Sequence, residues 1–436
     1  MGRRLFYDLK APLRTFVEVT GTCNLGCRHC YNYWRDLGKS LDFAAAQHMK
    51  HVVAERALQQ IIAHNVLSVV ISGGEPLTNY DITRFVLEYC RGTPIKVSLN
   101  SNVVLLTKQM VKEMQMLGLR AIHTSVLGSS AIVHDAITGV HGSFKKTLQG
   151  IELCRKVNLY CDANMVVTKM NNHDIFDVAK VLQKMGHTAM TVDIAESPAN
   201  CSDSSFFLTR EEQIEVMNTI ALINNKLKIK AVKATAVPYC VFPELQSFEP
   251  CLYSSCSAGQ VSCTIGSDGQ VRACPVASEN VGSIMDFDLS ELWEKLGDWR
   301  SDAVLPVKCK SCELVTRCGA GCRVGYCKNS PQIEPTKILM NPDNVKLAQH
   351  LLDKHKREHK TFSQGEKIRF NDFILREEEF GAVVFIDGGM RFVDEAGKKF
   401  FIKFIPNRTY NVAEIVTACG ESFCNELLTS GLARML

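Results

Sequence analysis

The sequence predicts an α/β protein in which a parallel sheet is followed by a Cys-rich segment and a small α+β domain. Three observations support this prediction. Short apolar runs alternate with longer segments of helical period between residues 15 and 222. Residues 238–329 lose this alternation and are rich in Cys, Gly and Ser, and residues 367–436 resume a shorter pattern of their own. A chain of 436 residues also exceeds the size that one hydrophobic core usually serves.

The predicted first domain, residues 1–235, consists of six βα units. Strands are predicted at the apolar runs 16–19, 66–72, 95–100, 121–126, 161–168 and 189–194. Helices are predicted at 43–62, 83–90, 108–117, 144–157, 175–185 and 210–224. Six such units in a row imply a parallel sheet that is either doubly wound or curved into a partial barrel. In both architectures the chemistry lies at the carboxyl ends of the strands.

The rest of the chain divides into three parts. Residues 236–330 bury little apolar surface, so we expect metal ligation to organise them. The charged stretch 346–360 is predicted to be a solvated helix within a linker of 331–365, with a simple linker without function as the alternative. In the last domain, 366–436, strands are predicted at 373–376, 383–387 and 400–404, a turn at 387–389 and helices at 412–418 and 423–432.

Composition limits the partners and the compartment. The formal net charge is only +4 and no long basic block is present, so we expect no nucleic-acid partner. The amino terminus lacks the apolar run and cleavage site of a signal peptide, and no apolar stretch is long enough to cross a bilayer. We therefore expect a cytoplasmic protein whose 19 cysteines act as metal ligands and buried thiols rather than as disulfides.

Three cysteines follow the first predicted strand in GTCNLGCRHCYNYW. Cys23, Cys27 and Cys30 have the spacing CxxxCxxC. A loop of this length can wrap three thiolates around one [4Fe–4S] cubane and leave the fourth iron open to bind a substrate atom. Zinc is the alternative, which is less favoured because no fourth ligand is obvious nearby.

This CxxxCxHCY motif after the first strand of a repeated βα domain resembles the radical S-adenosylmethionine (SAM) superfamily. The resemblance implies a partial (β/α)6 TIM-like barrel in which Cys23, Cys27 and Cys30 hold the catalytic cluster and His29 approaches the adenine. It implies that the open iron chelates SAM, whose cleavage gives a 5′-deoxyadenosyl radical that abstracts hydrogen. A low-potential electron donor such as flavodoxin or ferredoxin is expected as a partner.

After the second strand, SGGEP supplies Gly73, Gly74, Glu75 and Pro76. Glycines allow close backbone approach, and Glu75 can accept a hydrogen bond from the SAM ammonium. An ordinary turn is the alternative for this motif taken alone. Because it follows CxxxCxxC by one βα unit, we interpret it as part of the SAM site.

Polar residues also follow the third and fourth strands. The segment SLNSN contains Asn100, Ser101 and Asn102, which the resemblance places near the ribose and carboxylate of SAM. Ser125 resembles the serine of an SxDG motif found in many relatives, but Leu127 stands where the motif has Asp. An acidic role at position 127 is therefore not expected.

The Cys-rich segment contains CKSCELVTRCGAGC, preceded by GxxxxC from Gly269 to Cys274, and resembles the SPASM domain. That domain carries two auxiliary [4Fe–4S] clusters in enzymes that act mostly on peptides and proteins. The resemblance assigns one cluster to Cys256, Cys274 and Cys322 and the other to Cys309, Cys312, Cys318 and Cys327. The fourth ligand of the first is Cys251, Cys263 or an open position that binds substrate. The other cysteines are expected to be structural, namely Cys90, Cys154, Cys161, Cys201, Cys240, Cys419 and Cys424.

The last domain, with FNDFILREEEFGAVVFIDGGMRFVDEAGKKFFIKF, YNVAEIVTAC and LLTSGL, resembles the winged-helix-like PqqD fold. In peptide-modifying systems that domain recognises the leader of a ribosomally made precursor peptide. A small sheet with an open edge beside a helix can accept an extended peptide as an additional strand. A packing domain without a ligand is the alternative.

Together these features predict a radical SAM maturase that modifies a ribosomal precursor peptide. Hydrogen abstraction would precede a thioether or carbon–carbon crosslink, although epimerisation and backbone excision also fit. A sulfatase-type maturase is an alternative, disfavoured because those relatives carry Asp where this chain has Pro275. Small-molecule chemistry, such as cofactor or porphyrin side-chain processing, is another. A non-catalytic electron-transfer or scaffold protein is disfavoured by the retained Glu75, Ser101, Asn102 and Ser125.

Overall fold

The computed structural model describes residues 7–32, 47–195, 205–238, 255–326, 366–386, 389–420, 424, 427–428 and 433–435. The chain divides into two compact units. One comprises Met1–Tyr7 and Ala11–Gln349, and the other comprises Asp8–Lys10 and His350–Leu436. The predicted linker at 331–365 lies outside the described residues. None of the described helices is long and apolar enough to span a bilayer.

The first unit begins with alternating strands and helices. Strands β1 to β7 comprise Arg14–Glu18, Ser68–Ser72, Lys96–Asn100, Ala121–Ser125, Tyr160–Val167, Ala189–Ile194 and Lys230–Lys233. Helices α1 to α7 comprise His51–Ala63, Tyr80–Cys90, Lys108–Met116, Ala131–Thr138, Ser143–Lys156, Ile175–Lys184 and Arg210–Lys226. The six predicted strands are confirmed, and the predicted helices correspond to all of these except α4. Strand β7 and helix α4 were not predicted.

One helix boundary was wrong. The helix predicted from residue 43 begins at His51. The segment before it is extended, because His48 Nδ1 lies 2.9 Å from Thr20 Oγ1 and the Met49 amide donates to the Val19 carbonyl at 2.9 Å. The prediction was therefore wrong for residues 47–50, which pair with the end of β1, whereas residues 43–46 lie outside the described residues.

Strands β1 to β7 form a parallel sheet in chain order, so each βα unit returns beside the preceding one. On the other side of β1, β8 (Ser262–Ile265) joins in parallel, and β9 (Gln270–Arg272) and β10 (Asn280–Ser283) extend the sheet in antiparallel. A doubly wound sheet reverses its strand order near the middle, whereas this sheet does not. The prediction of a partial barrel is therefore confirmed, and the sheet reaches into the Cys-rich segment.

The two faces of the sheet differ in burial. In β3, Val97 and Leu99 are buried, whereas the intervening residues, ending with Asn100, are only half-buried. Strand β4 shows the same alternation, and its half-buried residues include His123 and Ser125. Because successive side chains of a strand point to opposite faces, the buried set faces the helices and the half-buried set faces the barrel interior.

The remainder of the first unit has few regular elements, as predicted for a segment rich in cysteine. Beyond β10 it contains the short helices α8 (Leu289–Lys295), α9 (Val307–Lys310) and α10 (Val315–Cys318). A capping box in which Asp288 and Glu291 bond each other's backbone amides begins α8. Trp293 is fully buried. This segment therefore packs a small apolar centre of its own.

The second unit contains two antiparallel sheets, each with three described strands. One places β11 (Lys367–Phe370) between β15 (Thr409–Asn411) and β16 (Ala433–Met435). The other consists of β12 (Phe373–Glu378), β13 (Gly381–Ile386) and β14 (Gly389–Asp394). The second unit also contains helices α11 (Glu395–Lys403) and α12 (Val412–Cys419). Its hydrophobic core is centred on Phe370.

The predicted strand at 400–404 was wrong, because the chain there belongs to α11. Asp394 caps this helix by accepting a hydrogen bond from the Gly397 amide at 2.8 Å. Phe400, Phe401 and Phe404 are buried at the spacing of one helical turn. A dense run of aromatic residues has high β-propensity, but here the cap and the helical spacing decide the structure.

The other predictions for this unit were largely confirmed. Strands occur at 373–376 and through most of 383–387, and a helix occurs at 412–418. The predicted turn is consistent with the pairing of Ile386 with Gly389 across a hairpin. Most of the helix predicted at 423–432 lies outside the described residues.

Candidate active site

The three cysteines of the CxxxCxxC motif lie in one loop after the carboxyl end of β1. The loop is held against the end of α4, because the Gly26 amide donates to the Thr138 carbonyl at 2.8 Å. The Cys30 amide donates to the Cys27 carbonyl at 3.0 Å, which closes a turn between two of the thiols. The side chains of Cys23, Cys27 and Cys30 are all partly exposed.

Electrostatics within the loop favour a cationic partner. Burial raises the pKa of Cys23 to about 12, and the negative charges of Glu75 and Cys30 raise it further. Burial also raises the pKa of Cys27, and the negative charges of Cys30 and Cys23 raise it further. Thiolates must be deprotonated to bind metal, so these three need a strongly positive centre. Among the described residues, no three or more His, Cys, Asp or Glu side chains are already grouped to hold a metal ion, and this applies to zinc and to an iron–sulfur cluster alike.

Glu75 is the centre of a hydrogen-bond network at the ends of β2 and β3. Its side chain is buried and caps the short 3-10 helix Pro76–Asn79, which Pro76 begins. Oε1 accepts from the Leu77 amide at 3.0 Å and from Ser101 Oγ at 2.8 Å, and Oε2 accepts from the Asn102 amide at 2.7 Å. Burial raises the pKa of Glu75 to about 7, although these hydrogen bonds act in the opposite direction.

Asn102 connects this network to the cysteine loop. Its Nδ2 donates to Asn24 Oδ1 at 2.8 Å and lies 3.9 Å from Cys23 Sγ. The Leu25 amide donates to the same sulfur at 3.4 Å. Three segments that the sequence analysis singled out, after β1, β2 and β3, therefore meet at one place.

The two glycines before Glu75 allow this approach. A Cβ atom on Gly73, whose φ is +146°, would lie 2.3 Å from the Thr20 carbonyl oxygen. A Cβ atom on Gly74 would lie 2.3 Å from the Thr22 carbonyl oxygen. The Gly74 and Glu75 amides instead donate to these carbonyls at 2.8 and 2.7 Å. Any larger residue would separate the Glu75 segment from the loop that carries Cys23.

Comparison with known proteins agrees with this geometry. Residues 17–182 match the family model of the radical SAM superfamily. The chain carries a radical SAM domain. This family uses SAM and a [4Fe–4S] cluster, and the protein is accordingly a radical SAM enzyme.

Curated relatives extend the similarity over most of the chain. An AdoMet-dependent heme synthase of Methanosarcina barkeri is 26% identical over 330 residues, which cover 72% of this chain and 91% of the relative. The PqqA peptide cyclase of Bradyrhizobium diazoefficiens is 23% identical over 330 residues, covering 72% and 81%. The mycofactocin maturase MftC of Mycobacterium tuberculosis is 24% identical over 324 residues, covering 72% and 79%.

Solved structures share the fold at lower identity. The structure of anSMEcpe with bound AdoMet and Cp18Cys peptide has a TM-score of 0.56 at 18% identity and covers 78% of this chain and 96% of its own. Streptococcus suis SuiB bound to its precursor peptide SuiA has a TM-score of 0.58 at 19% identity and covers 76% of each chain. These likenesses support the radical SAM barrel fold.

The radical SAM domain places its other predicted residues around the same edge of the sheet. His29 lies in the cysteine loop, where burial lowers its pKa to about 4 and its buried Nδ1 has no hydrogen-bond partner among the described residues. Asn100 and Ser125 are the last residues of β3 and β4 on the inner face, outside the Glu75 network. An unpaired neutral imidazole nitrogen is available to a ligand such as the adenine of SAM.

Leu127, which stands where the SxDG motif has Asp, has a structural role. Leu127 is buried, its amide donates to His134 Nδ1 at 3.1 Å, and its carbonyl accepts from Asn171 Nδ2 at 2.9 Å. These contacts hold the loop after β4 in place without an acidic side chain.

The first unit also contains polar contacts that the sequence analysis did not single out. On the inner face, His123 Nδ1 of β4 lies 2.6 Å from Asp162 Oδ1 of β5. The guanidinium of Arg272 on β9 forms a buried ion pair with Glu18 on β1. The alternation within the strands indicated which residues face inward, but only the register of the sheet shows which of them meet.

In the Cys-rich segment, the described cysteines fall into two neighbourhoods. Burial raises the pKa of Cys274 to about 12, and the nearby Cys256 thiol raises it further. A Cβ atom on Gly319 would lie 3.9 Å from the Cys256 amide, so the turn between Cys318 and Cys322 lies beside Cys256. Cys309 and Cys312 pack together in a small separate cluster.

The remaining candidate ligands are placed differently. Cys263 lies on β8, fully buried, with its sulfur 4.0 Å from Thr15 Oγ1. Cys318 ends α10 and is buried. Cys251 and Cys327 lie outside the described residues. Of the cysteines expected to be structural, Cys90, Cys154 and Cys424 are buried and Cys161 is partly exposed, whereas Cys201, Cys240 and Cys419 are not among those whose side chains are described.

Proposed function

We propose that this radical SAM enzyme is a maturase that modifies a ribosomally made precursor peptide. Hydrogen abstraction from an unreactive carbon would be followed by formation of a thioether or carbon–carbon crosslink. The observation that carries the radical chemistry is the network of Glu75, Ser101 and Asn102 beside Cys23. It joins the predicted cluster loop and the predicted SAM loop through a buried carboxylate.

Each group in this network has a distinct role in the proposal. Cys23, Cys27 and Cys30 hold the cluster, and the buried Glu75 carboxylate accepts a hydrogen bond from the ammonium of SAM. Asn102 orients the cluster loop through Asn24, and Ser101 orients Glu75. His29 faces the adenine with an unpaired nitrogen. Cluster and SAM, when bound, supply one-electron cleavage and hydrogen abstraction.

We propose two auxiliary [4Fe–4S] clusters in the Cys-rich segment. Cys256, Cys274 and Cys322 hold the first, and the proximity of Cys256 to Cys274 supports this assignment. Cys309, Cys312, Cys318 and Cys327 hold the second. Because Cys263 packs against Thr15 within the sheet, we propose that the fourth ligand of the first cluster is Cys251 or a substrate atom. An auxiliary centre provides the electron acceptor that crosslink formation requires.

The second unit supports a peptide substrate. Among the described strands, β14 pairs with β13 alone, and α11 packs against both. An extended peptide can add to such an edge through main-chain hydrogen bonds. SuiB, which shares the barrel fold, has been solved bound to a precursor peptide. We propose that this unit recognises the leader of the precursor.

A second candidate function is chemistry on a porphyrin. The similarity to an AdoMet-dependent heme synthase, over 91% of that relative, supports it. This alternative gives the sheet edge of the second unit no role.

The radical chemistry is tested by anaerobic reconstitution of the wild type and of the Cys23/Cys27/Cys30→Ala variant. Iron and sulfide are counted, and 5′-deoxyadenosine is measured with dithionite as reductant. We expect the variant to lose about one third of the iron and all SAM cleavage, since three cubanes contain about 12 iron atoms. Cys90→Ala, which changes a buried cysteine on α2, is the control and should keep both. Zinc in place of iron, or no cleavage by the wild type, would contradict the proposal.

The substrate class is tested by mass spectrometry of turnover mixtures. One contains a candidate precursor peptide, taken from any short reading frame found next to the gene, and the other contains a porphyrin with carboxylate side chains. A mass loss of two hydrogens from the peptide supports the crosslinking maturase. Conversion of the porphyrin alone would support the second candidate.

A further inference from the structure

A buried ion pair joins the barrel to the Cys-rich segment. Arg272 Nη2 of β9 contacts Glu18 Oε2 of β1, and both side chains are only 5% exposed. The two residues are 254 positions apart in sequence. Desolvating two charges costs several kcal/mol, and replacing such a pair by apolar residues often leaves stability unchanged or higher. The pair therefore calls for an explanation other than stability.

The position of the ion pair between Glu18 and Arg272 suggests such an explanation. Glu18 is the last residue of β1, and the chain continues from it into the loop of Cys23, Cys27 and Cys30. Arg272 is the last residue of β9, two positions before Cys274. The ion pair thus ties together the strands that lead into two proposed cluster sites.

Arg272 retains donor capacity beyond its bond to Glu18. Its Nε is buried and has no hydrogen-bond partner within the part of the chain that the structure describes. A Cβ atom on Gly266 would lie 3.0 Å from Arg272 Nη1, so the glycine leaves the guanidinium room. The guanidinium therefore has a donor that its bond to Glu18 does not use, two positions before the proposed ligand Cys274.

We propose that Arg272, held in place by Glu18, is a positioning residue that raises the reduction potential of the auxiliary cluster at Cys256, Cys274 and Cys322. This inference rests on the auxiliary clusters of the proposed function. Net charge and hydrogen bonds to sulfur are two of the factors that set the potential of an iron–sulfur cluster. A fixed cation with a spare N–H donor stabilises the reduced, more negative form. A raised potential suits a centre that accepts an electron during crosslinking.

The test is an EPR-monitored redox titration of the reconstituted protein in the Cys23/Cys27/Cys30→Ala background, which leaves only the auxiliary clusters. Glu18→Gln keeps the cation and removes its counter-charge, so the midpoint potential should shift upward. Glu18→Met with Arg272→Met removes both charges, which offset each other, together with the N–H donors of the guanidinium, so the loss of the donors should shift the potential downward. The double variant also tests the idea if the single one fails to fold, because it leaves no unpaired buried charge.

A matched control is available in the second unit. Arg376 and Glu378 form another buried ion pair, with side chains 6% and 0% exposed. Glu378→Gln should leave both auxiliary potentials unchanged. If the Glu18 and Arg272 variants keep their iron and titrate like the parent, the pair is a structural clamp only and the inference is wrong. If the parent binds no auxiliary iron, the auxiliary clusters of the proposed function fail as well, which separates the two results.

Discussion

At the residue scale, Glu75 links proton binding to ligand binding. Its pKa is raised to about 7 chiefly by burial, so a large fraction is protonated near neutrality when SAM is absent. The ammonium of SAM favours the ionised carboxylate, and protons therefore compete with SAM. We predict that the apparent Kd for SAM rises as pH falls below about 7, by up to about tenfold per pH unit. Anaerobic calorimetry on the reconstituted enzyme measures this.

The matched variant is Glu75→Gln, which keeps the shape and loses the titration. It should bind SAM more weakly than the wild type above about pH 7, with little pH dependence. Stability provides a second check. The folded pKa exceeds the ordinary value of 4.5, so ionisation of Glu75 destabilises the SAM-free fold as pH rises from about 4.5 to about 7. If the Gln variant keeps the same pH dependence of SAM affinity, another group titrates.

Val103 is a second residue whose conformation serves the site. It follows Asn102, is almost fully buried and has a φ of +56°. A β-branched residue rarely adopts this region, which costs of order 1–3 kcal/mol. The Val103 amide donates to Ser101 Oγ at 3.0 Å, so the strained residue helps to orient the serine that bonds Glu75. Strain of this kind persists where surrounding contacts fix the backbone.

At the element scale, the junction of α4 and α5 supports the cysteine loop. Asp135 of α4 accepts hydrogen bonds from the Gly142 amide at 2.6 Å, Ser143 Oγ at 2.8 Å and the Phe144 amide at 2.8 Å. The same end of α4 holds the Gly26 amide through Thr138. We predict that Asp135→Ala lowers the free energy of unfolding by about 1–2 kcal/mol, as loss of a helix cap does, and lowers iron retention.

Denaturant titration and iron analysis measure these effects. Asp177→Ala, which removes an exposed carboxylate on α6, is the control and should change neither. Burial raises the pKa of Asp135, but the bonds from Phe144 and Gly142 outweigh it, so the net shift is downward. The stabilisation is therefore present at neutral pH and lost as pH falls below the ordinary value of 3.8. Unchanged iron retention in Asp135→Ala would show that the junction does not support the loop.

Helix α5 packs through Gly150 directly on the segment after β3, which contains Ser101, Asn102 and Val103. A Cβ atom there would lie 2.6 Å from the Val103 carbonyl oxygen and 2.8 Å from Val103 Cβ. Alanine is the better helix former by about 1 kcal/mol, so Gly150→Ala would stabilise an unconstrained helix. We predict instead a loss of about 1–3 kcal/mol in the free energy of unfolding, together with weaker SAM binding, because the added methyl displaces the loop. Gln149→Ala, at an exposed position beside it, should be neutral in both measurements.

The elements also show what sequence could predict. Strands β1 to β6 followed from local apolar periodicity, and the cysteine and GGE motifs lie where the ends of those strands indicated. Strand β8 could not be placed, because only long-range pairing brings Ser262–Ile265 beside β1. The ion pair of Glu18 with Arg272 depends on that pairing. Helix α11 was mistaken for a strand because aromatic density outweighed the Asp394 cap in the prediction.

At the scale of the whole molecule, the proposed function assigns radical chemistry to the first unit and leader recognition to the second. The second unit has its own core around Phe370, Phe401 and Ile415, and Glu378 accepts a hydrogen bond from the Lys10 amide at 3.1 Å within it. An independent core is the mark of a domain that can fold alone. The radical SAM residues from Cys23 to Ser125 all belong to the first unit. Recognition of substrate and radical chemistry can therefore be tested apart.

We predict that a chain ending at Gln349 keeps dithionite-driven cleavage of SAM near the wild-type rate but modifies a precursor peptide accepted by the full chain at least about tenfold more slowly at low peptide concentration. The reason is loss of the tethered leader site, which raises the local concentration of the peptide. High peptide concentration, or residues 366–436 added as a separate chain, should restore part of the activity. Liquid chromatography of 5′-deoxyadenosine and mass spectrometry of the peptide report the two activities. If the shortened chain modifies the peptide as well as the full chain does, the edge of β14 is not the leader site and the barrel alone selects the substrate.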